Sequence, residues 1–239
     1  YITGGTLDQI LDLKALSSFE GMLIDYSAAK IIIDGATILP LFFPNLQYPY
    51  QYHRELILNV FTQLSRIPEM EGSKFIFAHI IAPHSPFVFK SDGSIVDRLP
   101  GFTFGFTFGG GESYSDSEYI QGYRDQLHFI NTQVLETIDD ILELSVTPPV
   151  IIIQGDHGPV PVGTNMPYAR QRTATFKAFY LPGNDHTLLY PSITPVNDFR
   201  VVFNTMFGGT YQLLPDLVFY SVHPKIFDFT DVTETYDNN

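Results

Sequence analysis

The chain of 239 residues has the composition of a folded protein and a strongly acidic charge. Apolar residues make up 44% of it and charged residues 16%, which fits a globular domain with a hydrophobic core and not a disordered chain. The formal net charge of −13 argues against a nucleic-acid partner, which needs a basic face, and it disfavours docking on anionic lipid. With no cysteine, disulfides, thiolate metal ligands and a cysteine nucleophile are also excluded.

The amino-terminal third predicts helices and loops. Residues 7–18 predict a short amphipathic helix, and residues 28–46 a mixture of helix and loop broken by prolines. That second stretch also carries charges, so it does not predict a membrane span. Residues 50–67 predict a longer helix, because apolar residues recur at three- and four-residue spacing until Pro68. Residues 1–5 are typical of a strand end that runs into a loop, and we expect a missing amino-terminal region before them.

The middle of the chain carries the first candidate binding residue. Residues 74–82 predict a buried strand, and His84 follows it between Pro83 and Ser85-Pro86. Prolines on both sides restrict the backbone and orient the imidazole, which could donate a hydrogen bond to an anionic oxygen; a histidine in a rigid surface turn is the alternative. Residues 88–118 predict a long Gly/Phe-rich surface excursion, and residues 119–144 predict an amphipathic helix.

The most informative motif is a carboxylate and an imidazole side by side at the end of a second strand. Residues 150–153 of the predicted strand 150–154 are apolar and β-branched, and Gly155-Asp156-His157-Gly158 follows Gln154 directly. The glycines let the backbone bend, so that Asp156 and His157 can reach one metal ion although neighbouring side chains on a regular strand face opposite sides. Loops at the carboxyl ends of strands converge in α/β proteins, so we expect His84 to face this pair. A capped turn with a surface histidine is the alternative.

The remaining elements complete a single predicted α/β domain, 1–239. Residues 175–181 predict a strand, and Thr194-Pro195 predicts the start of a helix that ends at Gly208-Gly209. The tail beyond Asp216 predicts irregular, acidic structure. The order of strands and helices indicates a largely parallel or mixed sheet with helices on its faces.

Other basic side chains are weaker candidates. Arg170 and Arg172 follow the Asp-His loop and could clamp a phosphate or sulfate with paired hydrogen bonds, or could be exposed loop arginines. His79 lies inside a predicted strand and is expected to be a core or interface histidine. His53 and His128 lie on predicted helices and are expected to be structural or exposed.

Three segments together resemble the sulfatase family of the alkaline phosphatase superfamily. They are Pro-His-Ser-Pro around His84, the helix of residues 119–144, and Gly-Asp-His-Gly around Asp156 and His157. The chain is similar to the bacterial membrane-anchored members, relatives of lipoteichoic acid synthases and phosphoethanolamine transferases. The resemblance implies a three-layer α/β fold, truncated at its amino-terminal side, with a mostly parallel or mixed sheet between helices.

The resemblance also implies roles for the candidate residues. Asp156 and His157 would bind a divalent metal (Zn²⁺, Mn²⁺, Mg²⁺ or Ca²⁺), and His84 would contact a phosphate or sulfate ester. Arg172 is predicted to bind the same ester from its position after the Asp-His loop, and not from the resemblance. In the family the nucleophile is a formylglycine or a threonine that lies well upstream. The chain has no Cys-x-Pro-x-Arg pattern, and neither Thr3 nor Thr6 has a convincing nucleophile setting. We therefore expect a hydrolase or phosphotransferase in the intact protein and an inactive chain alone.

The resemblance places the intact protein outside the cytoplasm, attached to the membrane through its amino-terminal region. Because truncation would expose sheet edges, we predict that this chain can form a homodimer. The alternative function is a non-catalytic extracytoplasmic binding or scaffold module derived from the same fold. A hydrolase with a Ser-His-Asp triad is a weaker alternative, since no Gly-x-Ser-x-Gly elbow is present.

Overall fold

The computed structural model contains helices and small sheets, so the chain is mixed α/β, as predicted at the level of class. Its contacts divide the chain into two compact units, Tyr1–Ser145 and Val146–Asn239, and each is described by itself. The predicted helix at residues 7–18 and the mixed segment at 28–46 lie outside the described residues. The single-domain prediction for residues 1–239 stays a prediction. The structure describes residues 2–3, 48–96, 114–159, 168–183, 186–222 and 224–235.

The described part of the first unit consists of two long helices and one short parallel strand pair. In it the order is β1 (Ile2–Thr3), α1 (Tyr48–Ser65), a 3-10 turn (Ile67–Glu69), β2 (Ala78–His79) and α2 (Asp116–Leu144). The predicted helices 50–67 and 119–144 are confirmed as α1 and α2. Strand β1 pairs with β2 in parallel.

Helix α2 begins at a capping box. The Ser115 side chain accepts from the backbone N–H of Glu118, and the Glu118 carboxylate accepts from the backbone N–H of Ser115. These two bonds satisfy N–H groups that have no partner inside the helix.

None of the helices in the described residues combines the length and the apolar character that crossing a membrane requires.

The core of this unit forms where the two helices meet the segment after His84. Ile57 and Phe61 of α1 and Ile130 of α2 pack with Val88 and Phe89, which have no exposed surface. The predicted surface excursion 88–118 is therefore wrong at its start, because Val88 and Phe89 fill the core. Residues 97–113 lie outside the described residues.

The predicted buried strand 74–82 is only partly correct. Within it, Ala78–His79 alone is paired as a strand, and Phe75 and Phe77 are largely exposed. His79 is exposed too, so the core half of its prediction as a core or interface histidine is wrong, and the interface half stays a prediction. An apolar run becomes a buried strand only where neighbouring elements cover it, and its sequence alone does not supply that cover.

The described residues of the second unit form two antiparallel strand pairs, one short helix and one helix of three turns. The described elements are β3 (Ile151–Gln154), α3 (Tyr168–Thr173), β4 (Lys177–Tyr180), α4 (Pro195–Met206), β5 (Phe219–Val222), β6 (Lys225–Asp231) and a 3-10 turn (Thr233–Thr235). The predicted strands 150–154 and 175–181 are confirmed as β3 and β4, which pair antiparallel. Thr194 precedes α4 as predicted, and Gly208 follows it with a positive φ of 67°.

A buried ion pair joins β4 to α4. The Lys177 ammonium lies 2.8 and 2.9 Å from the two carboxylate oxygens of Asp198, and it also donates to the Ile193 carbonyl. The Asp198 side chain is 2% exposed and that of Lys177 is 11% exposed. Burial raises the pKa of Asp198, while its bond to Lys177 opposes that shift. The pair therefore keeps two buried charges compensated at the start of α4.

A second polar cluster holds the segment after α4 against its first turn. The Asp216 carboxylate accepts from the Thr194 backbone N–H and hydroxyl, both at 2.7 Å, and from the Tyr190 hydroxyl at 2.6 Å. Asn197, which has no exposed surface, exchanges two hydrogen bonds with the backbone of Leu214. Burial and the Asp216 carboxylate raise the pKa of Tyr190 to about 12, so its hydroxyl stays protonated and donates.

The tail beyond Asp216 is not irregular, which corrects the prediction. Strands β5 and β6 form an antiparallel hairpin with a bulge near Ser221. Strand β6 is Lys-Ile-Phe-Asp-Phe-Thr-Asp, in which charged residues lie among apolar ones. The acidic residues in this pattern obscured a strand signal that Phe227 and Phe229 carry.

Replacing Lys177 by Met should lower the free energy of unfolding by about 3–5 kcal/mol, because Asp198 would remain buried without a counter-charge. Chemical denaturation of wild type and variant measures the difference. As a control, Lys225→Met removes the exposed partner of Asp228 and should cost less than about 1 kcal/mol. Equal effects of the two variants would contradict this account of the buried pair.

Candidate functional site

The Asp156-His157 loop continues directly from the β3–β4 pair. Beyond the last paired residue of β3, the backbone N–H of Gly155 donates to the Phe176 carbonyl at 3.0 Å. Gly158 is buried against α3, and its N–H donates to the Arg172 carbonyl at 2.8 Å. A Cβ at position 158 would overlap the Gln171 carbonyl oxygen, so this close approach requires glycine.

In Asp156 and in His157, one polar side-chain atom is hydrogen-bonded to the backbone and the other is left exposed. The Asp156 Oδ1 atom accepts from the His157 backbone N–H at 2.9 Å. The His157 Nδ1 atom lies 2.9 Å from the Gly158 carbonyl oxygen, a contact that requires a proton on Nδ1. In the neutral ring Nε2 then carries the lone pair that a metal ligand needs. Asp156 Oδ2 lies 3.6 Å from this Nε2 atom, with the side chains 75% and 36% exposed.

This donor pair fits one divalent cation. Two ligands at about 2.0–2.1 Å from a tetrahedral ion lie about 3.3 Å apart, close to the observed 3.6 Å. A carboxylate oxygen with an imidazole nitrogen suits Zn²⁺ or Mn²⁺ best. Among the described residues, no group of three or more His, Cys, Asp or Glu side chains could hold a metal. Two protein ligands leave coordination positions that water can occupy.

Arg172, predicted to contact substrate, lies directly against this loop. Its Nη1 atom donates to the Gly158 carbonyl oxygen at 2.6 Å, so helix α3 places the guanidinium beside the candidate ligand pair. The same carbonyl oxygen accepts from His157 and from Arg172. Arg170 also lies in the last turn of α3.

The structure adds two tyrosines that the sequence analysis did not single out. The rings of Tyr168 in α3 and Tyr220 in β5 are 6.1 Å apart, centroid to centroid. Burial, followed by the neighbouring Tyr168, raises the pKa of Tyr220, and the nearby charge of Arg172 opposes that shift. No local sequence signal links Tyr220 to this loop, because β5 follows α3 by many residues.

His84 lies in the first unit, whereas Asp156, His157 and Arg172 lie in the second. It is exposed, and its Nδ1 atom forms a short hydrogen bond with the Ser85 carbonyl oxygen. The predicted cleft shared by His84 and the Asp-His loop therefore stays a prediction.

One buried and one partly buried side chain fix the segment that follows His84. Gln126 of α2 has no exposed surface; its Oε1 atom accepts from the Val88 N–H at 2.8 Å, and its Nε2 atom donates to the His84 carbonyl at 2.9 Å. Arg54 of α1 donates to the Val88 carbonyl at 2.7 Å and lies 4.4 Å from the centroid of the Phe89 ring. Gln126 occupies the apolar stripe of α2, which is the one sequence signal that could have identified it.

His53 interacts electrostatically with His84. Its Nε2 atom is fully buried and has no hydrogen-bond partner within the described part of the chain. Burial, and secondarily the charge of His84, lowers the pKa of His53 to about 4, so the ring is neutral at pH 7.

The second unit has a surface cavity of about 450 Å³ whose lining residues are not those of the candidate site. It is lined by Thr175, Lys177, Phe179, Leu189, Tyr190, Pro191 and Ile193. None of the predicted ligand or substrate-binding residues lines it. The Lys177 ammonium at its wall is already neutralised by Asp198, so the cavity does not explain the predicted anion chemistry.

Replacing Gln126 by Leu should lower the free energy of unfolding by about 2–4 kcal/mol, because backbone groups of His84, Val88 and Phe89 would lose their partner. Denaturant titration measures this change. Gln121→Leu, at an exposed position of the same helix, is the matched control and should stay within about 0.5 kcal/mol of wild type. A similarly mild Gln126 variant would show that the amide does not hold this segment.

The stability of the chain should fall as the pH falls from 6.5 towards 4. In this range the unfolded chain protonates His53 at its ordinary pKa of 6.5, whereas the folded chain does so only near 4. Between pH 7 and pH 5 the loss from this group should be about 2 kcal/mol. His53→Leu should remove that part of the pH dependence, while His128→Gln, at an exposed position, should retain it. Identical pH profiles for wild type and His53→Leu would contradict the assignment.

Comparisons of the chain with protein-family models, with curated proteins and with solved structures found no match. The resemblance to the sulfatase family therefore stays a prediction from the motifs around His84 and Asp156-His157.

Proposed function

We propose that this chain carries part of the active site of a sulfatase-like, metal-dependent hydrolase or phosphotransferase acting on phosphate or sulfate esters. Its domain would have the three-layer α/β architecture of the alkaline phosphatase superfamily. One observation carries the proposal: Asp156 Oδ2 and His157 Nε2 lie 3.6 Å apart and exposed at a strand end, with their companion atoms hydrogen-bonded to the backbone. Such outer bonds orient metal ligands before the ion arrives.

In this proposal Asp156 and His157 hold the divalent ion, which would supply charge neutralisation and polarisation of the phosphorus or sulfur ester. Further ligands and the nucleophile would come from the upstream part of the intact protein, so this chain alone would be inactive. Zn²⁺ and Mn²⁺ suit the mixed oxygen and nitrogen donors, whereas Mg²⁺ and Ca²⁺ would need more oxygen ligands.

Arg172 is the residue best placed to bind the anionic substrate. The bond from its Nη1 atom to Gly158 holds the guanidinium beside the ligand pair. A planar group with five donors can bind two oxygens of a phosphate or sulfate while keeping that bond.

His84 would make a second contact to the substrate anion. Where its Nδ1 proton is donated to the Ser85 carbonyl, Nε2 donates to an anion only when the ring is protonated. The contact to substrate is therefore charge-assisted, which strengthens it.

A non-catalytic binding module is the second candidate, and a specific observation favours it. Helix α4 and the segment after it present an exposed row of aromatic rings, in which Phe203 lies 6.0, 5.9 and 5.8 Å from Phe199, Phe207 and Tyr211. Exposed apolar rows of this kind mark interaction surfaces. In this reading the fold serves as an extracytoplasmic scaffold, and metal binding has no catalytic role.

Calorimetric titration of the 239-residue chain with Zn²⁺ tests the ligand assignment. The double variant Asp156→Ala with His157→Ala should bind Zn²⁺ at least about tenfold more weakly than wild type. As a matched control, Asp139→Ala with His128→Ala removes the same residue types from exposed positions of α2 and should bind like wild type. Unchanged affinity in the first double variant would end the metal-site proposal.

A further inference from the structure

Strand β5 places a tyrosine against the face of α3 that carries Arg172. Tyr168 and Arg172 are four residues apart in α3, so their side chains lie on the same face of that helix. The ring of Tyr220 packs on the ring of Tyr168, with centroids 6.1 Å apart and planes inclined at 54°. The Arg172 charge also acts on the Tyr220 phenol. A phenol from β5 and a guanidinium from α3 therefore lie next to each other.

The Tyr220 hydroxyl is available to a ligand. The residue is partly buried, yet within the part of the chain that the structure describes its hydroxyl forms no hydrogen bond with a protein group. The Tyr190 hydroxyl of the same unit, by contrast, donates to Asp216 at 2.6 Å. Burial raises the pKa of Tyr220, so its hydroxyl keeps its proton at neutral pH and can donate a hydrogen bond.

Arg172 likewise keeps donors for a ligand. Its Nη1 atom donates to the Gly158 carbonyl at 2.6 Å, and for its remaining N–H groups the described residues supply no further acceptor. A guanidinium has five N–H groups in one plane, so two of them can bind two oxygens of a tetrahedral anion side by side. The other oxygens of a phosphate or sulfate then lie out of that plane, and they need a donor from another element.

We propose that the Tyr220 hydroxyl binds the substrate, by donating a hydrogen bond to an oxygen of the phosphate or sulfate group that Arg172 holds. This inference rests on the proposed function, in which Arg172 binds the anionic group of the ester. The phenol adds a directed donor without adding a positive charge. In this arrangement the hairpin of β5 and β6 contributes to the substrate site.

A purely structural role for Tyr220 predicts a different response to mutation. The aromatic ring makes the contact with Tyr168, so phenylalanine preserves the packing of β5 on α3 and removes only the hydroxyl. Tyr220→Phe should therefore unfold at the same urea concentration as wild type. A loss of anion binding in this variant then belongs to the hydroxyl, because the fold and the guanidinium are unchanged.

Titration of the 239-residue chain with inorganic phosphate, followed by phosphorus NMR in metal-free buffer, measures the contribution of each donor. Wild type should bind phosphate with a dissociation constant in the millimolar range. Tyr220→Phe should bind about tenfold more weakly, since a hydrogen bond to a charged acceptor is lost, and Arg172→Met should lose at least about as much. Phosphate should also perturb the tyrosine absorbance of wild type, and Tyr220→Phe should lack this change.

Tyr180→Phe is the matched control. Tyr180 lies in β4 opposite Ile151, at the end of the strand pair away from the Asp-His loop, and this variant should bind phosphate like wild type.

The outcomes separate this inference from the proposed function. Wild-type affinity in Tyr220→Phe, together with weak binding by Arg172→Met, would overturn the role of Tyr220 and leave that of Arg172 in place. Wild-type affinity in Arg172→Met, or no phosphate binding by the wild-type chain, would overturn the anion-binding role of Arg172 and this inference with it. The Zn²⁺ titration of the Asp156 and His157 variants is independent of either result.

Discussion

Each of the two units depends on the rule that a buried polar group must find a partner. In the first unit a single buried amide, Gln126, satisfies backbone groups on both sides of the turn that follows His84. In the second, the carboxylate of Asp198 neutralises Lys177 and joins a strand to a helix. Leaving any of these groups unpaired in the interior would cost more than the bond itself contributes. The positions of the two candidate loops follow from these internal bonds.

The same rule shapes the candidate ligands. The carbonyl oxygen of Gly158 accepts from both His157 and Arg172, so one backbone group orients an imidazole and a guanidinium together. The Nδ1 atom of His84 is likewise engaged by a neighbouring carbonyl. In each case the backbone fixes one side of the side chain, and the other side is left to meet a cation or an anion. This arrangement reduces the conformational freedom lost when a ligand binds.

Charge and apolar surface have distinct roles in the second unit. The acidic balance of the chain keeps it soluble, although aromatic rings are exposed on α4 and β6.

The sequence by itself determined what depends on near neighbours in the chain. Helical periodicity located α1 and α2, and the apolar run stopped by Gly155 located β3 and the Asp-His turn. Only the tertiary structure decided which distant groups meet: Gln126 with the turn after His84, and Tyr220 with α3. The physical reason is that the partners of Gln126 and Tyr220 lie tens of residues away in the chain. Local patterns of polarity specify how a segment folds but not what it will contact.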